Sequence, residues 1–296
     1  TISWPRPAAS SMTKPSKARV RQSFERAAPT YDSAASVQRA ICHDLIDRLP
    51  ALSASRLLDA GCGTGYALPL LRQRFPQAHV IGLDLSPAML RHVAEPCCRI
   101  AADLEHLPLA AASVDLFWSS LAVQWCELPL VLREARRILR PGGALALASL
   151  GPATFHELRH AFAGVDEYRH TLAFHATDEI SAMAAAAGLH DITVHSYPQI
   201  AHYADFKSLL RAVKAIGANQ VGDGRRTSLM SRTAFQKAEA AYEAQRTPDG
   251  LPLTYSEVGA TESDALPVGY HHVHVTARIG RGRERFEQAA ERVMRY

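Results

Sequence analysis

Three aspartates, Asp59, Asp84 and Asp103, each close a short apolar run. A carboxylate so placed can accept hydrogen bonds from a ribose diol or an exocyclic amine, and it can face a cation. The first of the three acids belongs to RLLDAGCGTG, residues 56–65, where Gly61, Gly63 and Gly65 alternate. Glycines in a strand-to-helix turn permit positive φ and close approach of backbone to a ligand. A kinase-type phosphate loop needs a Lys after its glycines, and none follows here. A nicotinamide loop wants GxGxxG, its third glycine letting helix and strand pack closely. GxGxG with Asp59 just upstream suits a ligand joining a cation to a ribose better than one with a pyrophosphate. Taken alone, the loop also fits a turn whose glycines serve geometry only.

Those residues need strands to carry them. Residues 57–59 read as strand one, followed by a helix spaced by Leu68, Leu71 and Phe75. Strand two is 80–84, and the next helix opens with Ser86 as cap and Pro87 in its first turn. Residues 99–102 form strand three, ending at Asp103, and VDLFWSS forms strand four. The helix 128–139 is stopped by Pro141, Gly142 and Gly143, and 144–150 is strand five. Such alternation marks βα units and predicts a doubly wound, mostly parallel α/β sheet with its ligand beyond the carboxyl ends of the strands. Upstream, 19–49 is helical in two pieces broken at Pro29, which places Tyr31 at a hinge: either a core tyrosine or a residue closing over the pocket.

After residue 150 helices are expected at 154–162 and 178–187, the second capped by Thr177, and a strand at 192–197. Amphipathic helices at 206–216 and 232–244 fall within a small helical insertion, 203–244, expected to cover the carboxyl edge. LPLTYSEV and HHVHVTARI alternate like strands and are expected to pair as a closing antiparallel hairpin, completing seven strands. Residues 1–18 read as a disordered tail or cloning remnant, with Met12 a plausible start, and 19–296 as a single domain.

The 296 residues carry 33 Lys and Arg against 29 Asp and Glu, a net charge of +4. No apolar run reaches membrane-spanning length, and no signal peptide is evident. Five cysteines without a CxxC pair fit free thiols in a reducing cytoplasm. Cys62, inside the loop, reads as a small side chain that fits rather than reacts. Basic clusters occur at Lys14, Lys17, Arg19, Arg21 and Arg26, at Lys207, Arg211 and Lys214, and at Arg225, Arg226 and Arg232. They suit an acidic protein, whereas nucleic-acid binding would call for interleaved aromatics that are missing. His271, His272 and His274 invite a metal, but alternation in a strand points His271 and His272 opposite ways, so no metal is expected.

The glycine loop, the three acids and VLREARRILRPGG (131–143) together resemble the class I S-adenosylmethionine-dependent methyltransferases. That resemblance implies a Rossmann-like fold binding S-adenosyl-L-methionine. Asp59, Gly61, Gly63 and Gly65 would wrap its methionine part, Asp84 would hold the ribose, and Asp103 with Leu104 would lie by the adenine. Leu85 would touch the adenine ring, while Leu121, Gln124 and Trp125 would line the wall around sulfonium and acceptor.

RQSFERAAPTYD, SSLAVQWC, FKSLLRAVKAIGAN and LPLTY are similar to a narrower family, the malonyl-[acyl-carrier-protein] O-methyltransferases of biotin synthesis. This implies methylation of the free carboxyl of a malonyl thioester, delivered on acyl carrier protein or as malonyl-CoA. Family members tend to run straight from LPLTY into the last strand, whereas here 256–269 intervene. A malonyl carboxylate is ionised at neutral pH, so no general base is required. Tyr31 would orient the acceptor oxygen and Trp125 would form an apolar wall. Arg211 or Lys214, three apart on one helical face, would meet the substrate acid or dock an acidic carrier. A monomer is the expectation. The alternatives are a methyltransferase for another small carboxylic acid or a quinone precursor, and a non-catalytic protein that binds the same nucleoside.

Overall fold

The computed structural model describes residues 14–217, 230–255 and 272–278, with Tyr255 and the last strand described by backbone alone. Three helices lead: α1 (Lys17–Ala27), the single turn α2 (Tyr31–Ala34) and α3 (Ser36–Asp47). The βα units follow as β1 (Arg56–Ala60), α4 (Ala67–Arg74), β2 (His79–Asp84), α5 (Pro87–His92), β3 (Cys98–Ala101), β4 (Val114–Ser120), α6 (Leu128–Ile138) and β5 (Leu139–Leu150). Then come α7 (His156–Ala163), α8 (Thr177–Ala186), β6 (His190–His195), β7 (Gln199–Tyr203), α9 (Phe206–Ala215), α10 (Arg232–Glu243), β8 (Leu251–Tyr255) and β9 (His272–Arg278).

The main sheet has the order β3-β2-β1-β4-β5-β9-β6, and β3 through β5 are mutually parallel. β1 lies at the switch point, its neighbours β2 and β4 leaving on opposite sides. Register sets Asp59 beside Gly82 and Trp118, and Asp84 beside Ala101, so the acids at the strand ends share one edge. Alternate residues of each strand enter opposite layers. Leu57, Leu116 and Trp118 pack with α3 and α4 through Ile41, Leu45, Leu68 and Leu71, all fully buried. Leu58, Phe117 and Leu145 pack on the other face with Val131, Leu132, Ala135 and Ile138 of α6. A sheet covered on both faces needs nearly continuous apolar strands, as VDLFW and ALALASL show.

Local chemistry matches several expectations. The Ser86 hydroxyl accepts from the Met89 N–H at 3.3 Å and Pro87 opens α5. Asp205 caps α9 by accepting from the Ser208 N–H at 2.7 Å. Other expectations need correction. Thr177 lies inside α8 rather than before it: Ala176 is the cap position, and its N–H donates to the Glu179 carboxylate at 2.9 Å. Pro141-Gly142-Gly143 does not stop α6, which ends at Ile138; it lies within β5, where pairing with β4 shifts register between Val114 and Leu116.

LPLTY and HVHVTAR do not form a hairpin with each other. β8 pairs antiparallel with β7 in a separate two-stranded sheet, while β9 inserts between β5 and β6, antiparallel to both. The physical reason is what each strand buries. β8 is held through Thr254, whose backbone N–H and hydroxyl both donate to the buried Glu157 carboxylate of α7, and Pro252 O accepts from the Tyr242 hydroxyl of α10 at 2.6 Å. β9 instead satisfies the otherwise open edge of β5. The intervening 256–271, the cluster Arg225-Arg226 and the side chains of His271, His272 and His274 lie outside the described residues. Residues 14–18, read from the sequence as part of a tail, join the fold: α1 begins at Lys17 and the Lys14 ammonium donates to Gln124 O at 3.1 Å.

Candidate active site

The turn after β1 shows why its glycines are needed. Gly61, Gly63 and Gly65 have φ of 81, 55 and 88°. A Cβ on Gly61 would meet the Ala122 Cβ at 2.2 Å, so the loop after β4 can approach only a bare backbone. The Gly61 and Cys62 N–H groups donate to Leu83 O at 2.7 and 3.0 Å, which ties the turn to the end of β2. Asp84 then closes the arrangement: its carboxylate accepts from Gly63 N at 2.9 Å and from Ser86 N at 2.7 Å. Burial raises the Asp84 pKa, and the Ser86 and Gly63 N–H donors oppose that rise.

Two cavities open at this edge. The first is lined by Gly61, Gly63, Asp84, Leu85, Met89, Asp103, Leu104, Leu121 and Ala122, with Lys17 and Val20 of α1 over them. The second is walled mainly by Leu150, Phe155, Leu158, Phe162, His170, Leu172 and Phe174, with Leu210, Val213 and Ile216 of α9 and the turn after it. Phe24, Tyr31, Leu121 and Trp125 line both. Phe24 sets its ring edge-on to Trp125 at 5.6 Å and tilted to Tyr31 at 6.4 Å, making an aromatic partition between the two cavities. Leu121 holds φ 54°, a left-handed conformation that costs a non-glycine residue on the order of 1–2 kcal/mol and sits at this partition.

Of the residues picked from sequence, Gly61, Gly63, Asp84, Leu85, Asp103, Leu104 and Leu121 line the first cavity, and Tyr31 and Trp125 line both. Gly65 lines neither, and its role is in the turn. Asp59 also lines neither: it is 2% exposed, behind the loop, with Oδ2 unpartnered among the described residues. Arg211 and Lys214 do not reach the second cavity. α9 turns Leu210 and Val213 toward it, and leaves both cations exposed.

Asp103 does not wait alone for a ligand. Lys17 reaches it at 3.0 Å and Glu105 at 2.6 Å, and donates to Cys126 Sγ at 3.2 Å. Asp103, Glu105 and Cys126 are grouped closely enough for a metal ion, but the Lys17 ammonium fills that place. Burial by itself would lower the Lys17 pKa; Cys126, Glu105 and Asp103 outweigh it and push it up. Sequence reading had assigned Lys17 to a tail and a surface cluster. The walls of the second cavity, His170 to Phe174 above all, also escaped it, because they fall in a stretch with no periodicity or motif.

Burial, and then Asp84, pushes the Asp59 carboxyl up to about 8. An Asp raised from 3.8 keeps its proton in the folded chain where the unfolded chain has lost it. Stability from this group is therefore fully present below about 3.8 and lost as pH rises through about 8. Asp59→Asn is expected to flatten that loss, so that its Tm falls less than the wild type's between pH values of about 5.5 and 8.5. Equal slopes in thermal unfolding of the two proteins would contradict the assignment.

A sequence profile described as a methyltransferase domain matches residues 58–147, and one described as a domain of unknown function matches residues 254–296. The malonyl-[acyl-carrier protein] O-methyltransferase of Dechloromonas aromatica is 68% identical over 246 residues, covering 83% of this chain and 94% of that one. The chain belongs to the malonyl-[acyl-carrier protein] O-methyltransferase family. A biotin biosynthesis bifunctional protein of Cellvibrio japonicus is 38% identical over 81% of this chain and 48% of its own length. Among solved structures, the YcgJ protein from Bacillus subtilis is 15% identical, covering 82% of this chain and all of that one with a TM-score of 0.56, a likeness of fold alone. As a family member the chain is an S-adenosylmethionine-dependent methyltransferase, and the first cavity fits that nucleoside. Asp84, which accepts from two backbone N–H groups, lines it with Asp103 and with the apolar Leu85, Met89 and Leu104.

Proposed function

We propose that this protein transfers a methyl group from S-adenosylmethionine to the free carboxylate of a malonyl thioester on acyl carrier protein, giving the methyl ester that enters biotin synthesis in the cytoplasm. The observation that carries the reading is the aromatic partition: a cavity lined by Asp84, Asp103 and the glycine turn and a second cavity walled mainly by aromatic and aliphatic side chains meet at Phe24, Tyr31, Leu121 and Trp125. Bound there, the sulfonium supplies an electrophilic methyl that an acceptor oxygen takes in line, the S–CH3 electron pair remaining on sulfur.

This chain's residues then need only position and exclude water. The acceptor arrives ionised, so no side chain has to remove a proton. Trp125 and Phe24 exclude water from the partition, where orientation supplies most of the rate. Desolvation of the half-buried Tyr31 raises its pKa, with Asp84 and Asp32 adding to the rise; it stays a phenol and serves as donor. Charge disappears when the ester forms, so a site that holds an anion releases its product.

Carrier protein is favoured over malonyl-CoA by the outer face of α9. Its Leu210 and Val213 wall the acceptor cavity while Lys207, Arg211 and Lys214 stand exposed on the same helix, a basic rim suited to an acidic carrier whose long arm enters the cavity. No helix among the described residues is long and apolar enough to cross a membrane. The test is mass analysis of malonyl-acyl carrier protein incubated with enzyme and S-adenosylmethionine. A gain of one methyl that an esterase removes is expected. Methylation of another small acid or a quinone precursor, with none of the carrier-bound malonyl group, would instead favour the rival enzyme readings.

A further inference from the structure

The acceptor must bring a negative charge into a cavity of aromatic and aliphatic walls, and desolvating it there is costly unless a cation or donor meets it. Arg211 and Lys214 face solvent, so that partner has to come from elsewhere. Among the described residues lining the acceptor cavity His170 is the one basic side chain, beside the neutral donors Tyr31, Gln38, Gln124 and Thr171. His170 is also the one held in place by its surroundings. Its ring stacks on Phe162, with centroids 3.7 Å apart and planes within 10°. Its Nε2 is bonded to Asp166 Oδ1 at 2.8 Å, which leaves Nδ1 as the nitrogen for a ligand. Phe162 in turn packs against Phe206, the first residue of α9, so the ring is fixed between α7 and the helix that walls the cavity.

We propose that His170, oriented by Asp166 and Phe162, is the partner of the substrate's malonyl head and the residue that distinguishes the free acid from its methyl ester. This rests on the reading of the chain as a malonyl methyltransferase. With Asp166 on one nitrogen, the other is left to meet the incoming carboxylate, and the attraction for the substrate ends when the carboxylate becomes a neutral ester. His170 thereby supplies specificity and product release together. Neither needs the ring to move a proton during transfer.

The experiment compares the full chain and its His170→Gln variant for affinity toward malonyl-acyl carrier protein and toward the corresponding methyl ester, both with S-adenosylhomocysteine bound so that nothing reacts. The wild type is expected to prefer the acid by about 10- to 100-fold, the scale of a charge-assisted hydrogen bond in a dry site, and the variant by less than about threefold. Asp166→Asn, which keeps the ring but removes its orienting charge, is expected to fall between them and serves if His170→Gln fails to fold. Unchanged S-adenosylhomocysteine affinity and Tm separate this from general damage. A variant that keeps the wild type's preference for the acid overturns the assignment while leaving the malonyl reading intact. A wild type that neither methylates the malonyl carrier nor prefers the acid overturns both.

Discussion

Asp84→Ala is expected to weaken binding of S-adenosylhomocysteine by about 100-fold or more, the loss of two hydrogen bonds to a charged acceptor at about 1.5–3 kcal/mol each. The direction follows from how Asp84 is built in. Its two oxygens accept from Gly63 N and Ser86 N, so one side chain both holds the glycine turn and lines the first cavity. Removing it takes away the ligand contacts and frees two N–H groups whose positions shape the cavity. Asp84→Asn keeps the volume but gives up the charge and turns one acceptor into a donor against an N–H, so it is expected to bind only modestly better than the alanine variant. Isothermal titration with S-adenosylhomocysteine measures both, and turnover at saturating S-adenosylmethionine should recover most of the wild-type rate. An Asp84→Ala protein that bound within about fivefold of wild type would mean that the ribose is held elsewhere.

The cofactor half of this site was legible because its chemistry and its fold use the same residues. Gly61 must be glycine for φ and for the approach of Ala122, and Asp84 must follow an apolar strand to arrive at the sheet edge. Short-range pattern therefore carries long-range information there. The acceptor half has no such redundancy. Phe24, His170 and Val213 meet from parts of the chain that are far apart, and nothing in local spacing says which face of α9 turns inward. The pair Arg211 and Lys214 illustrates the limit. A three-residue interval put them on one face correctly, but the apolar Leu210 and Val213 took the inward face, as burial favours. Lys17 shows the opposite case: a charge that looked like surface decoration is drawn into the pocket by Asp103 and Glu105. The misplaced hairpin has the same origin, since alternation identifies β8 and β9 as strands without naming the partner each will bury against.

Tyr31→Phe is expected to lower kcat/KM for the malonyl carrier by about 10- to 100-fold while leaving S-adenosylhomocysteine affinity nearly unchanged. How the loss divides is informative. The acceptor loses its negative charge on the way to the transition state, so a donor on it stabilises the bound substrate more than the transition state. If electrostatics alone mattered, removing the hydroxyl would raise KM and also raise kcat. If the hydroxyl fixes the angle of approach beside Trp125 and Phe24, kcat falls as well, because orientation is the larger share of the barrier. The position of Tyr31 in the wall common to both cavities favours the second outcome, and single-turnover rates decide it. The pH profile adds an independent reading. With its pKa raised first by burial and then by Asp84 and Asp32, the phenol does not ionise in the range where the protein is active. Tyr31→Phe is therefore expected to keep the shape of the wild type's pH profile between neutral pH and about 9. A descending limb near neutrality that the phenylalanine variant removed would make Tyr31 a titrating group and overturn its role as a fixed donor.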